Sequence, residues 1–494
     1  MSGATLERRL ANYRAALRTG RSDDPAPPPA PGDRGDGGSA RGSIALGERL
    51  AAALDGELIL DPAGPVVRCE PATLVLPLDR ERLRGLPGQP PADAPLICLD
   101  TETTGLATAS GTVAFLVGLG WWEGDRFRQV QLLLPDHPAE RGLLARLAAH
   151  IPADAWLVTY NGRGFDWPLL VARYRMARRD PPPLAGHLDL LPFVRRVFRH
   201  RMTDARLQTV ETELLGSVRH GDVDGWQIPG LYLDFLRGGE AWPLIDVVRH
   251  NREDVRSLAR LLGKIDVEYA DPVARCDAPR GDLAGLARAF AREHRHDEAL
   301  GCLDAALSQG SERALRVAEQ PGPDPDVDAD PADPWWSPRR PPDIGGRQRA
   351  GWARVVEGRL DSPWTEERIV IERCRLLRRL GRYEEAVAGW LDLAGGRGAI
   401  AVQAWIEVAK LREHRLVDLP GALDATRRAV AWAERRRRLG MGDPVVDRGL
   451  ATRLARLVRR TDQLTAAVAA FASPTRGNLG SGSVVSQVPR TRSR

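Results

Sequence analysis

The sequence predicts a mixed α/β sheet flanked by helices, followed by an all-α region of repeated helical pairs. Short apolar runs alternate with helical periods between residues 95 and 266, strand signals largely vanish after Ala270, and low-complexity stretches flank or interrupt both regions. The 494 residues leave room for two or three domains, which usually run to roughly 100 to 200 residues each.

Residues 20–45, "GRSDDPAPPPAPGDRGDGGSARGSIA", are too rich in Pro, Gly and charge to bury a core, so 1–45 is expected to be a disordered N-terminus. Residues 46–94 read as an N-terminal extension. Within 95–266, "LICLD", "TVAFLVGLGWW" and "FRQVQLLLP" read as strands, and the Gly-Asp of "WWEGDRF" turns a hairpin between the last two. "AERGLLARLAAHI" has helix spacing, "AWLVTYN" reads as a strand, "FDWPLLVARYRMA" as a helix and "GHLDL" as a short strand, with helices from there to Leu262. Three successive strands, a helix, another strand and then mainly helices imply a mixed sheet with helices on its faces.

Beyond Ala270, "LARAFAREHRHDEALGCLDAAL" (286–307) and "RCRLLRRLGRYEEAVAGWLDLA" (373–394) align Arg295-His296-Asp297-Glu298-Ala299 with Arg382-Tyr383-Glu384-Glu385-Ala386. A looser third copy (404–433) puts Ala422 at the same small position. The pattern resembles tetratricopeptide repeats, which implies a possible protein partner; an ordinary all-α domain with amphipathic helices fits as well. The expected plan is a first helical repeat at 267–310, a Pro- and Asp-rich insert or linker at 311–365 with Trp335 and Trp336 as docking points, further helices at 366–472 and a disordered tail at 473–494.

The formal net charge is +5, and of the 71 basic residues only Lys264 and Lys410 are lysines. Such an arginine bias reflects GC-rich coding more often than phosphate binding. The runs "RYRMARRD" (173–180) and "RRVFRHRMTDAR" (195–206) suit a polyanion, or equally a solvated helix face. Five scattered cysteines without a C-x-x-C pair read as buried reduced thiols. The start lacks a signal-peptide core and no run reaches the roughly 18 apolar residues of a spanning helix, so no membrane association and a cytoplasmic location are expected.

"LICLDTETTGL" (96–106) places Asp100 and Glu102 on one face of a strand, where their charges repel unless a cation sits between them. Oxygen ligands with no cysteine nearby favour Mg²⁺ or Mn²⁺ over zinc. "VTYNGRGFDWP" ends a strand, passes through a glycine-containing loop and puts Asp166 at the opening of a helix, where it is a ligand or an N-terminal cap. "VVRHNREDVRSLARLL" sets His250 and Asp254 on one helix face, one turn apart, with Asp254 a ligand or a surface acid.

Taken in order, "DTETTGL", "YNGRGFDWP" and "HNREDV" resemble the three exonuclease motifs of the DEDD superfamily, proofreading-type nucleases with an RNase H-like fold. Within it, "LQTVETELLG", "RHGDVDGWQIPGLYLDFLRGG" and "HNREDVRSLARLL" are similar to the YprB-type RNase H-like domain, a group of largely predicted exonucleases that can carry tetratricopeptide repeats. The resemblance implies an α/β RNase H-like fold over 95–266, two divalent ions held by Asp100, Glu102, Asp166 and Asp254, and His250 as general base. It implies contacts to a terminal nucleotide from Thr103, Gly105, Leu106, Asn161 and Phe165, though core packing accounts equally for Leu106 and Phe165. Asp189 reads as a supporting or strand-end acid. One departure stands out: His250 lies where the superfamily's tyrosine variant has its Tyr, with three residues between it and the Asp. Packing or capping of the helix remains the alternative role for it.

The expected function is therefore metal-dependent hydrolysis of phosphodiester bonds, as a 3′-to-5′ exonuclease on single-stranded DNA or RNA. The alternatives are a nucleic-acid-binding module without hydrolysis, or a scaffold in which the helical repeats do the main work.

Overall fold

The structure, a computed structural model, describes residues 36–105, 111–219, 221–319, 365–396 and 398–472. Leu106, residues 1–35, the insert between 320 and 364 with Trp335 and Trp336, and the tail from 473 lie outside the described residues. The chain divides into two compact units, one made of residues up to Val75, Pro95–His187 and His220–Arg256, the other of Leu76–Ala94, Leu188–Arg219 and the chain from Ser257 on.

The first unit is organised by a mixed sheet of eight strands: β1 (Glu57–Asp61), β2 (Gly64–Cys69), β3 (Leu74–Val75), β4 (Leu96–Thr103), β5 (Ala114–Glu123), β6 (Arg126–Leu133), β7 (Trp156–Thr159) and β8 (Gly186–Asp189). Their order is β1-β2-β6-β5-β4-β7-β8, with β3 beside β6. β4 runs parallel to β7 and antiparallel to β5, so the sheet is mixed, as the strand and helix order implied. The Gly124 of the β5–β6 hairpin has φ 60, the left-handed geometry such a turn requires.

One expectation about the N-terminus changes. The helix Asp36–Leu54 starts inside the stretch read as disordered to residue 45, and Leu50 on it is fully buried in the sheet's core. Within residues 46–94, read as an N-terminal extension, β1 and β2 continue the sheet past β6. Their apolar pattern is short, and pairing to a strand some sixty residues downstream cannot be read from local periodicity.

β5 is buried continuously from Ala114 to Gly120, the pattern of a central strand covered on both faces rather than of a half-exposed one. One cover is the helix Glu140–Ala149, which buries Leu143, Leu144 and Leu147; Asp166–Met176 buries Leu169, Leu170 and Tyr174, whose hydroxyl donates to the Leu144 carbonyl at 2.7 Å. The helix Ile228–Leu236 stacks Tyr232 on Phe115 with ring centroids 4.0 Å apart. Each fully buried side chain of this size contributes about 1.5 to 3 kcal/mol.

The second unit is mainly helical. Arg280–Arg292 pairs with His296–Glu319, Glu366–Arg379 with Tyr383–Ala394, and Ala399–His414 with Leu419–Arg438, before the long helix Pro444–Ala472. Ala299, Ala386 and Ala422, the aligned small residues, are all fully buried where paired helices meet. Each turn between partners holds a left-handed residue, His294, Gly381 or Val417. Glu413, with no exposed side-chain surface, accepts from Arg453 and Arg456 at 2.7 Å and from Arg460 at 3.1 Å, tying the Ala399–His414 helix to Pro444–Ala472.

Several arginines read as suited to a polyanion are committed inside the fold. Arg173 makes a two-pronged pair with Glu140, Arg201 pairs with buried Asp282 at 2.8 Å, and Arg179 donates to the Arg141 carbonyl. Cys69, Cys98, Cys302 and Cys374 are buried as expected, but Cys276 is exposed. No helix among the described residues is long and apolar enough to cross a membrane.

Candidate active site

The site lies where β4 leaves the core. Leu96 to Leu99 are buried, whereas Asp100 to Thr103 are only partly so, and the register between β4 and β5 shifts between Glu102 and Thr103. The irregularity turns the strand end away from regular pairing just after the second acid. Thr103 Oγ1 then donates to the Gly105 carbonyl at 2.7 Å, closing a tight turn.

Asp166 arrives from the loop after β7. Asn161 takes up φ 70, which Asn tolerates better than most residues, and the chain turns through Gly162 to Gly164 into the helix. Asp166 is the first helical residue, not the cap: the preceding Phe165 holds the cap position, and Thr101 Oγ1 donates to Asp166 Oδ1 at 2.5 Å. Phe165 is 53% exposed, which removes core packing as its role.

The third contribution comes from one helix, Leu244–Ile265. It lies close over β5 because Gly118 and Gly120 carry no side chain: a Cβ on Gly118 would fall 2.3 Å from Asn251 Oδ1, and one on Gly120 would fall 2.9 Å from Val255 Cγ1. Asn251 is fully buried, accepts from Gln131 Nε2 at 2.9 Å and donates through Nδ2 to Asp100 Oδ2 at 2.9 Å. Asp100, Gly118 and Gln131 are lateral neighbours across β4, β5 and β6, so Asn251 bridges one row of the sheet.

From the same helix, His250 Nε2 faces Asp254 Oδ2 at 3.8 Å and Glu102 Oε1 at 3.9 Å. Its Nδ1 lies 2.9 and 3.0 Å from the two oxygens of Asp222, from the loop before Ile228–Leu236. An ionised carboxylate only accepts, so Nδ1 is the nitrogen that donates to Asp222, and Nε2 is the one turned toward Glu102 and Asp254.

Asp100 thus lies within electrostatic reach of Asp254, Glu102 and Asp166, and His250 faces Glu102 and Asp254. Burial, and then the charges of Asp254, Glu102 and Asp166, push the Asp100 carboxyl well above the ordinary carboxylate range, while the Asn251 hydrogen bond pulls the other way. As the side chains stand, no three His, Cys, Asp or Glu among the described residues are close enough to hold a metal ion. The donor set is all oxygen beside one imidazole, the chemistry of a hard divalent cation. Asp189 stands apart from this role, capping the helix Leu190–Val197 by accepting from Leu191 N at 3.1 Å.

Sequence reasoning passed over Asp222, Asn251 and Gly118. The only local signals were an acid ahead of a helix in "GDVDGW" and a pair of glycines inside a strand, "VGLGWW".

A family model described as the RNase H superfamily matches residues 97–266. The uncharacterized protein YprB of Bacillus subtilis (strain 168) is 34% identical over 221 residues, which cover 44% of this chain and 52% of that protein, so the chain spans about half the length of this relative. The family B DNA polymerase from the hyperthermophilic archaeon Pyrobaculum calidifontis overlaps 42% of this chain and 30% of its own at 15% identity and a TM-score of 0.28, too loosely to inform the site. The mixed sheet with its flanking helices is consistent with that match, so residues 97–266 form a segment similar to RNase H superfamily domains, with an RNase H-like fold.

Proposed function

We propose that this protein is a metal-dependent nuclease that hydrolyses phosphodiester bonds of nucleic acid, removing nucleotides from the 3′ end of single-stranded DNA or RNA. The observation that carries the reading is that Glu102, Asp166 and Asp254, from three separate segments, all act on the Asp100 carboxyl, with the His250 imidazole facing Glu102 and Asp254. RNase H-like nucleases generally use divalent ions, and Asp100, Glu102, Asp166 and Asp254 are the residues that would hold two Mg²⁺ or Mn²⁺. Bound there, such ions would acidify a water and neutralise charge on the scissile phosphate and departing oxygen. His250 Nε2, which faces Glu102 and Asp254, would take the water's proton, and Asn251 hydrogen-bonds Asp100. Phe165, exposed beside Asp166, offers a ring on which a terminal base stacks, and the Thr103–Gly105 turn and Asn161 border the same strand ends.

Release of nucleotides from an end-labelled oligonucleotide in Mg²⁺ or Mn²⁺ tests the reading, with Asp100→Ala as the control. Equal release by the control, or none by either protein, rules the reading out.

A binding module that grips nucleic acid without cutting it is the second reading, favoured by the acids not being gathered tightly enough to close a metal site. Calorimetric titration with Mg²⁺ or Mn²⁺ separates the two, because only the nuclease requires two bound ions. The stacked helical pairs of the second unit offer an extended surface for a protein partner, in the manner of tetratricopeptide repeats.

A further inference from the structure

We infer that Asp222 is a positioning residue for the proposed hydrolysis, holding His250 in the tautomer that presents a bare Nε2 to Glu102 and Asp254; its catalytic consequence rests on the nuclease reading above. Four observations carry it. Nδ1 of His250 is within hydrogen-bond distance of both Asp222 oxygens, at 2.9 and 3.0 Å, whereas the acids facing Nε2 stand off at 3.9 and 3.8 Å, beyond it. The pair is largely withdrawn from water, with side-chain exposures of 19% for His250 and 15% for Asp222, so the bond is not traded freely for solvent. Asp222 is itself tethered, its Oδ1 accepting from Val223 N at 3.0 Å. And His250 stands between carboxylates on both sides, which gives the tautomer choice its weight.

When neutral, an imidazole with carboxylates at both nitrogens directs its one proton to whichever acceptor is nearer and better aligned. With Asp222 in place that acceptor is on Nδ1. Remove it, and the carboxylates facing the ring are Glu102 and Asp254, which draw the proton to Nε2. The ring would then point an N–H at the acids and could no longer take a proton from water there. A tyrosine at this position would have no second ring atom to hold, so the carboxylate from the 221–227 loop is a requirement that comes with the histidine.

The test uses the full-length chain with ring-¹⁵N-labelled histidine, the His250 signals being identified by their loss in His250→Gln. In cation-free protein at a pH where the ring is neutral, the wild type is expected to show the Nδ1–H tautomer, and Asp222→Ala to move toward Nε2–H. On an end-labelled oligonucleotide, Asp222→Ala is expected to lower kcat by roughly 10- to 100-fold with KM little changed. Asp222→Glu, which keeps the acceptor, should recover part of both readouts. Thermal melts of each variant register any loss of folding. An Nε2–H wild type, or a tautomer unmoved in folded Asp222→Ala, overturns the inference. Absence of hydrolysis in the wild type overturns the nuclease reading instead, while the tautomer still decides what Asp222 does to the ring.

Discussion

Asn251 lies across Gly118 and donates to Asp100 Oδ2 at 2.9 Å, so a buried amide from a helix fixes an acid on a strand two sheet positions from the Gln131 that orients it. The arrangement depends on the missing side chain beneath it.

Gly118→Ala is therefore expected to cost both stability and cleavage. Its Cβ would meet Asn251 Oδ1 at 2.3 Å and Val255 Cγ2 at 2.9 Å, and overpacking of this kind costs about 1 to 3 kcal/mol. Gly120→Ala meets Phe127 and Val255 first, at 2.3 and 2.9 Å, rather than Asn251. Thermal melts should show both variants weakened, while nuclease assays per folded molecule should show a marked loss only in Gly118→Ala.

Asn251→Ala would leave Gln131 and Asp100 each short of a buried partner, a loss of about 1 to 3 kcal/mol in chemical denaturation. Unchanged denaturation midpoints would mean that the bridge is not formed in solution.

The raised Asp100 carboxyl makes a signed prediction about pH. Its folded state holds the proton more tightly than the unfolded chain does, so in cation-free buffer stability falls as pH rises from the ordinary carboxylate range through the raised value. Asp100→Asn should flatten that slope and raise Tm at pH 8. Millimolar Mg²⁺ should raise Tm of the wild type more than that of the variant, since only the wild type has the full charge to relieve. Melts across a pH series, with and without cation, measure both effects.

Phe165→Ala should leave the melting temperature nearly unchanged, because the ring is half exposed, yet weaken binding of a single-stranded oligonucleotide by about 1 to 3 kcal/mol. Fluorescence anisotropy in Ca²⁺, with no turnover, reads this directly; equal affinities would remove the ring from the substrate path.

In the helical unit, Glu413→Ala would strand three arginines against one another. About 3 kcal/mol is expected, the low end for a broken buried pair because Arg456 and Arg460 remain nearly half exposed. Differential scanning calorimetry should show the lost stability, with nuclease activity at low temperature retained.

The acids were legible because strand alternation and helix spacing act over a few residues: "DTET" gives one strand face and "HNRED" one helix turn. The buried pair-forming alanines Ala299, Ala386 and Ala422 were legible from their repeated context. Asp222 was not, since its role arises only when a loop meets a helix 28 residues further on. Nor was the use of β1 and β2, whose pairing with β6 is a long-range choice that weak local patterns do not encode. The partners of the arginines were hidden for a related reason: a charge run reports its own excess, not the Glu140 or Asp282 that folding brings to Arg173 or Arg201.

The helix Leu244–Ile265 buries Val247 and Val248 in the core and carries His250, Asn251 and Asp254 within its next two turns. Each residue inserted or deleted inside that stretch would rotate everything beyond it by about 100°. Substitutions at single positions can degrade the site by degrees, but a change of length between Leu244 and Asp254 would swing imidazole, amide and carboxylate away together or misplace the apolar face. Among descendants of this chain, that segment should vary in letter while staying fixed in number.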